Sequence, residues 1–311
     1  MKTSTKRIIG KLWLTIFIVV ALAFVFAYLK DHRDDLARLL DANLRYLAMA
    51  VLAHSGYFAF TVMAWRRVLR ETTAEALGFR EGLAQILLVN FGKYIPGKVW
   101  GVAARGRRLS EQGFSIEAIG RASYLEQALL LLTGFWLTFL CAAVLYKSPA
   151  YWFAVVLATI AIGLLPKGGK AFRGITKLLP RAGMLIRMFD LSISVNQVLL
   201  LSLNYLAVWL FLAAAFIFIG AAVVGLELAF ANLAILVMAI TAGFLSGFLA
   251  LFAPGGVGIR EGVGAAILVS IMTLENALLL MLLFRGWVVV SELLAGALVL
   301  GAGGRFRAVN D

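Results

Sequence analysis

The sequence predicts an all-α integral membrane protein, and three observations carry that prediction. Hydrophobic residues make up 62% of the 311 residues and charged residues only 14%, where a soluble domain is about half apolar and a quarter charged. The apolar residues fall into long runs, several near the roughly 20 residues a helix needs to cross a hydrocarbon core. The basic residues gather between these runs, as in loops that face anionic lipid. Mean hydropathy is +0.95. These figures exclude a soluble enzyme, a disordered tail, a coiled coil and a disulfide scaffold. Net charge is +13, but its distribution between spans argues for a lipid surface and against nucleic acid as a partner.

Taken in order, the first apolar run is 12–29. It is too long for a removed signal peptide and lacks the small-residue cleavage pattern, so it is expected to be a retained helix. Further spans are expected at 44–64, 123–146, 151–165, 198–220, 229–252, 257–272 and 276–300, giving about eight. The stretch 82–102 is apolar but broken by Lys93, Pro96, Gly97 and Lys98, and it reads as a re-entrant hairpin rather than a full crossing. The segment 166–197 is polar and basic. It fits either a cytoplasmic amphipathic element on the headgroups or a solvated connecting loop, the second being favoured by its modest apolar periodicity. The whole chain, 1–311, reads as a single polytopic membrane domain.

Orientation follows from Lys and Arg near the span ends. With both termini in the cytoplasm, 20 of the 29 basic residues fall in inside segments, among them Lys2, Arg66, Arg107, Arg173 and Arg305. Only five fall outside, namely Lys30, Arg33, Arg38, Arg45 and Lys147. This bias holds only if the 82–102 element enters and leaves on the same side. The remaining four bases, Lys93, Lys98, Arg260 and Arg285, sit at membrane depth.

Cofactor chemistry finds no support. The single cysteine, Cys141, cannot form a disulfide within the chain, and the only histidines are His32 and His54. A lone histidine in a span usually packs or makes a local hydrogen bond, so no metal site is expected. The G-x-x-x-x-G-K-[ST] loop of ATP users is absent. No catalytic residue is assigned.

The buried charges are the informative feature. A charge at the centre of a span costs at least about 2.5–3.5 kcal/mol on insertion scales. Four bases share the apolar segments with three acids, Glu126, Glu261 and Glu292. Two readings fit: structural ion pairs that specify helix packing, or a polar cavity for an anionic headgroup. Arg285 and Glu292 are seven apart and so lie on one helical face. Glu126 lies about one turn inside its span, and can pair with a base from either broken segment.

The chain breaks twice near these charges. In F252-A-P-G-G-V-G-I-R-E-G-V-G264, Pro254 ends one helix. Gly255, Gly256 and Gly258 permit a sharp turn. A new helix then starts with Arg260 in its first turn. A helix N-terminus offers free N–H groups and a positive dipole end, and the Arg260 fork suits phosphate, so an anion site is expected here. Tight packing through Gly258 and Gly262 is the other reading, and both can hold. Glu261 where a third glycine belongs, with no preceding strand, rejects a dinucleotide fingerprint. The second break, N90-F-G-K-Y-I-P-G-K-V-W-G-V-A-A-R105, has the same parts: Pro96 and Gly97 with Lys93, Lys98 and Arg105. The fragments P96-G-K-V-W-G101 and P254-G-G-V-G258 are alike. Each is followed by an acidic residue opening an apolar helix, Glu126 and Glu275. This suggests an internal repeat with broken helices at equivalent positions.

On the blocks Y94-I-P-G-K-V-W and A253-P-G-G-V-G-I-R-E-G262, together with the Glu126 helix, the chain resembles the lysylphosphatidylglycerol synthase transmembrane-region family, also called the flippase-like domain family. The resemblance covers about residues 10–300, and the P-G-G-x-G-x-R-E-G block is its most specific part. It implies roughly eight helices with re-entrant elements, in the cytoplasmic (inner) membrane of a prokaryote. In some members a similar domain is fused to a cytosolic aminoacyl-transferase domain, and others accompany glycosyltransferases that use polyprenyl-phosphate carriers. Neither extra domain is expected within these 311 residues, so the translocation reading transfers and the synthase activity does not.

The leading expectation is therefore a lipid translocase, not an enzyme. It would move an anionic phospholipid or a polyprenyl-phosphate-linked sugar, with membrane lipids as partners. Lys93, Lys98, Arg105 and Arg260 are expected to line the headgroup cavity. Glu126, Glu261, Arg285 and Glu292 would balance charge or gate it. The alternatives are a non-transporting scaffold for a glycosyltransferase or lipid-modifying enzyme, and a membrane-embedded transferase using Glu126 or Glu261. The number of membrane-depth charges speaks against the scaffold, and the lack of a metal or nucleotide motif against the transferase. Oligomeric state, direction of transport and energy source are not legible.

Overall fold

The computed structural model describes residues 41–94, 100–167, 189, 191, 193–250 and 253–301. These residues form nine α-helices and no strand: α1 (Leu44–Thr73), α2 (Phe79–Gly92), α3 (Trp100–Glu111), α4 (Ile116–Tyr146), α5 (Pro149–Leu164), α6 (Val195–Val223), α7 (Phe230–Leu249), α8 (Ile259–Leu268) and α9 (Leu274–Gly301). Local chemistry explains several of their ends. The Asn43 side chain accepts from the Arg45 N–H at 3.0 Å to open α1. Ser115 accepts from the Ala118 N–H at 3.2 Å to open α4. Ser194 and Gln197 form a reciprocal capping box at α6. Pro149 sits in the first turn of α5, where its missing N–H removes no bond.

Six helices are long and apolar enough to cross a membrane: α1, α4, α5 with its terminal 3-10 turn, α6, α7 and α9. Large apolar side chains such as Phe153, Leu200, Leu203, Leu294 and Leu298 face outward on them. In water such a surface would drive association, and in lipid it is the expected one. The chain is a multi-pass membrane protein.

The expected count of eight spans is not reached among the described residues. The 12–29 span lies outside them, as do Pro96, Gly97, Lys98 and most of the 166–197 loop. The expected 257–272 span is a correction: its helix, α8, has ten residues and reaches only about 15 Å, half a hydrocarbon core. The apolar run was long enough, but Gly258 holds φ at +81° before the helix and the chain turns again after Leu268.

Two helical hairpins result. In the first, α2 and α3 run antiparallel with Gly92 against Gly101, so tightly that a Cβ on either would overlap the other arm's backbone. This is the re-entrant element expected at 82–102. In the second, α7 and α8 run antiparallel, Gly247 lying against Gly256 and Gly243 against the Arg260 carbonyl. The close approach therefore runs through Gly243, Gly247 and Gly256. The Gly258–Gly262 pair read from the sequence meets nothing within 4 Å at either position.

Long helices carry these hairpins, and the arrangement repeats with reversed direction. The unit α1, first hairpin, α4 is followed, after α5, by α6, second hairpin, α9. Helices α1 and α6 pack antiparallel: the Asn43 N–H donates to the Ala222 carbonyl (3.1 Å) at one end, and Arg67 Nη1 donates to Asn204 Oδ1 (3.1 Å) toward the other. Helix α4 packs on α7, where Thr138 and Thr241 share a 2.7 Å hydrogen bond, and α9 packs on α2. Each long helix thus supports the other unit's hairpin, as an inverted repeat requires. The Glu126–Glu275 match drawn from the sequence does not survive: Glu126 is buried, whereas Glu275 is exposed in the first turn of α9.

Candidate functional site at the hairpin junction

The hairpins meet at their tips. The Gly255 N–H donates to the Lys93 carbonyl at 3.0 Å, and the Tyr94 ring lies against Gly255. Gly255 and Gly256 hold φ at +60° and +72°, a left-handed geometry that glycine adopts without strain, and Gly256 has no room for a side chain beside Gly247. The P-G-G block is therefore required by backbone geometry at this junction.

Five of the expected residues converge here. Lys93 donates to Glu292 Oε1 at 2.5 Å, and the Tyr94 hydroxyl donates to Glu292 Oε2 at 3.1 Å. Arg285 donates to Glu261 Oε1 at 2.5 Å and reaches the Gly255 carbonyl at 3.5 Å. Glu261 Oε2 accepts from the Gly258 N–H at 2.7 Å. The seven-residue spacing of Arg285 and Glu292 does place both on the face of α9 that meets the hairpins. Glu261 and Glu292 are buried, and each is matched by a base from another element.

Arg260 differs from these. Its guanidinium stacks on the Phe244 ring at 5.3 Å, a cation–π contact. It has no acidic partner among the described residues, and Arg285 and Glu261 are the leading charges acting on it, with opposite sign. The described charges of the junction are thus three bases, Lys93, Arg260 and Arg285, against two acids, Glu261 and Glu292. One positive charge is left over beside two helix breaks. At the helix N-terminus where an anion site was expected, Glu261 takes the N–H of the cap residue Gly258, and Arg260 lies in the first turn beside it.

Arg105 and Glu126 lie in a second cluster that, among the described residues, shares no hydrogen bond or ion pair with the junction. Arg105 on α3 is 0% exposed. It grips Glu126 with two bonds of 2.9 and 2.5 Å, donates to the Ser123 hydroxyl at 3.2 Å, and stacks on Trp65 at 3.8 Å. This side chain is spent on locking the first hairpin to α4 and α1. Arg105, expected to line the headgroup cavity, is thus held by Glu126 and Ser123 of α4 and by Trp65 of α1.

Sequence reading missed several participants. Tyr94 sits inside the quoted first block but carried no charge to single it out. Phe244 looked like any apolar residue of α7. At the hairpin base, outside the spanning helices, Glu81 takes two bonds of 2.6 Å from Arg108 and one of 2.9 Å from Gln112. Burial alone would raise the Glu81 carboxyl, but the hydrogen bonds from Arg108, Gln85 and Gln112 outweigh it and hold it down at about 2. Only the Glu81–Gln85 spacing of four was visible in sequence. Among the described residues, no group of His, Cys, Asp and Glu forms a metal centre.

A multi-pass helical membrane domain with two helical hairpins and a charged junction between their tips defines a class of membrane protein built around a polar centre. A sequence model of the lysylphosphatidylglycerol synthase TM region matches residues 12–296. The chain belongs to this lipid-related membrane family. No curated protein matches it.

Proposed function

We propose that the protein is a lipid translocase that carries an anionic phospholipid or a polyprenyl-phosphate-linked sugar across the cytoplasmic membrane, with both termini on the cytoplasmic side. The observation that carries this reading is Arg260: a guanidinium at a helix break, on an aromatic face, without an acidic partner among the described residues. A buried or half-buried base in a membrane protein ordinarily has an acid matched to it, or faces a polar cavity. A phosphate headgroup supplies the missing negative charge and suits the planar fork. The opposed hairpins support the same reading, because transporters with inverted repeats hold substrate where broken helices meet. Acyl or isoprenoid tails would stay in lipid while the head passes the junction.

The test is a flip assay on purified protein in liposomes with fluorescent anionic and zwitterionic lipids, beside Arg260→Ala and protein-free vesicles. Protein-dependent flipping of an anionic lipid, lost in the variant, is expected. Full transport by folded Arg260→Ala would sink the anion-site assignment.

A further inference from the structure

A groove of about 200 Å³ opens where the spanning helices α4, α5 and α6 meet. Its walls include Thr133 and Trp136 of α4, Thr159 and Ile162 of α5, and Ser202 and Leu203 of α6. Residues three or four apart share a helical face, so α4 and α5 each turn one face toward the groove. Helix α4 belongs to the first repeat unit and α6 to the second, with α5 between them in the chain. The groove therefore lies on the seam between the two units.

The polar side chains in these walls have already spent their donors. Thr133 Oγ1 donates to the Leu129 carbonyl at 2.6 Å, Ser202 Oγ to the Val198 carbonyl at 2.8 Å, and Thr159 Oγ1 to the Val155 carbonyl at 2.9 Å. Trp136 Nε1 donates to Thr159 Oγ1 at 3.1 Å. An anionic head needs donors, and these side chains have none left to give. Water gains little here either: an apolar cavity of about 150 Å³ stays dry and takes up benzene.

The open side of the groove faces hydrocarbon. Leu203 is 61% exposed, and Leu199, one turn before it in the same wall, is 46% exposed. Both belong to the outward apolar surface that the bilayer covers, so the groove is continuous with the lipid interface. A lipid chain enters it without leaving its own phase. An empty groove would leave the wall atoms without contact partners, and packing of this kind drives association inside a bilayer. The Trp136–Thr159 bond ties α4 to α5 and holds the indole as a fixed wall.

We propose that this groove binds one hydrocarbon chain of a membrane lipid, which is thereby held as a structural lipid at the seam between the two repeat units. Recognition rests on the chain and not on the head. Among the described residues the polar wall groups share no hydrogen bond or ion pair with the charged junction, so this site is distinct from the one assigned to an anionic headgroup.

The test uses the full-length protein, freed of lipid in a steroid-based detergent whose rigid rings do not enter a chain-width groove. Phosphatidylcholine is added and bound lipids are counted by native mass spectrometry. The wild type should keep one more phosphatidylcholine than Leu203→Trp, which adds bulk at the exposed rim, or Ser202→Leu, which adds it at the buried floor. Leu210→Trp changes an exposed residue of α6 outside the groove and should keep the wild-type number, as should Arg260→Ala. Added phosphatidylcholine should raise the unfolding midpoint of the wild type and of neither filled variant. A diazirine at mid-chain of the lipid should label peptides carrying 133–136, 159–162 or 199–206. Equal lipid counts in the wild type and both filled variants overturn the site, as does labelling confined to other peptides. Wild type that binds no phosphatidylcholine overturns it too, the result expected if residues 12–29 or a second copy of the chain occupy the groove.

Discussion

Replacing Glu126 with alanine should strand the most deeply buried charge among the described residues. Arg105 is 0% exposed and its only acidic partner among the described residues is Glu126, itself 6% exposed. Among the described residues no other carboxylate is bonded to Arg105, the Ser123 hydroxyl satisfies one nitrogen at most, and Arg105 Nε already lacks a partner. Removing one member of such a pair costs about 3–5 kcal/mol, against a total stability of about 5–15 kcal/mol for a folded domain. The unfolded chain within a bilayer also finds polar partners, which places the expected loss near the lower figure, about 3 kcal/mol. At this chain length that lowers the unfolding midpoint by about 5 °C. The double variant Arg105→Met/Glu126→Leu removes both charges and fills the space with apolar atoms, so it should regain most of the loss. The measurement is thermal unfolding in detergent of the wild type, Arg105→Met, Glu126→Leu and their double, closed as a cycle, with Glu126→Ala beside them. A Glu126→Ala loss below about 1 kcal/mol, or a double variant no more stable than Glu126→Ala, would refute the assignment of this pair to packing.

Three further outcomes follow from the same geometry. At the junction, Lys93→Ala should destabilise more than Glu292→Ala. The lysine side chain is 32% exposed and can turn to water, whereas the Glu292 side chain is 2% exposed and would keep only Tyr94; equal losses in thermal unfolding would contradict this. Gly256→Ala should destabilise by about 2 kcal/mol or more, because the new Cβ would stand 2.7 Å from Gly247 Cα at a φ of +72°. Gly262→Ala, which meets open space, should be close to neutral, so a large loss there would contradict the packing read at the tip. The Glu81 pair should show a pH signature. Its carboxyl drops from an ordinary 4.5 to about 2 on folding, so its contribution is complete above about pH 4.5 and is lost as pH falls toward 2. The stability gap between wild type and Arg108→Met should therefore hold at pH 5–7 and shrink below pH 4; a gap independent of pH would count against the pair.

Much of this architecture was legible in the residues. Apolar run length located α1, α4, α5, α6 and α9, because a helix that must satisfy its own backbone in lipid leaves no other solution. Pro96-Gly97 and the Pro254 block located both breaks, and the count of cations argued that 82–102 returns to its starting side. The 257–272 run misled, since an apolar segment in a re-entrant hairpin and one in a spanning helix have the same composition and differ only in how far the helix continues.

What the sequence by itself determined is the class of molecule: membrane-embedded, helical, broken at two glycine-rich points, with seven charged residues in its apolar segments. These are properties of single segments, and transfer energies and backbone rules act on segments one at a time. What only the tertiary structure decided is the pairing. Arg105 and Arg260 are the same residue type near similar breaks, yet one is locked to Glu126 inside a hairpin and the other faces the junction without an acid among the described residues. Glu261 takes the N–H of the cap residue Gly258, and His54 is buried among aromatic rings with neither ring nitrogen hydrogen-bonded among the described residues. Ion pairing and ring contacts depend on distances across elements separated by up to about two hundred residues, as between Lys93 and Glu292. The antiparallel docking of the two units fixes those distances, and no local pattern encodes them.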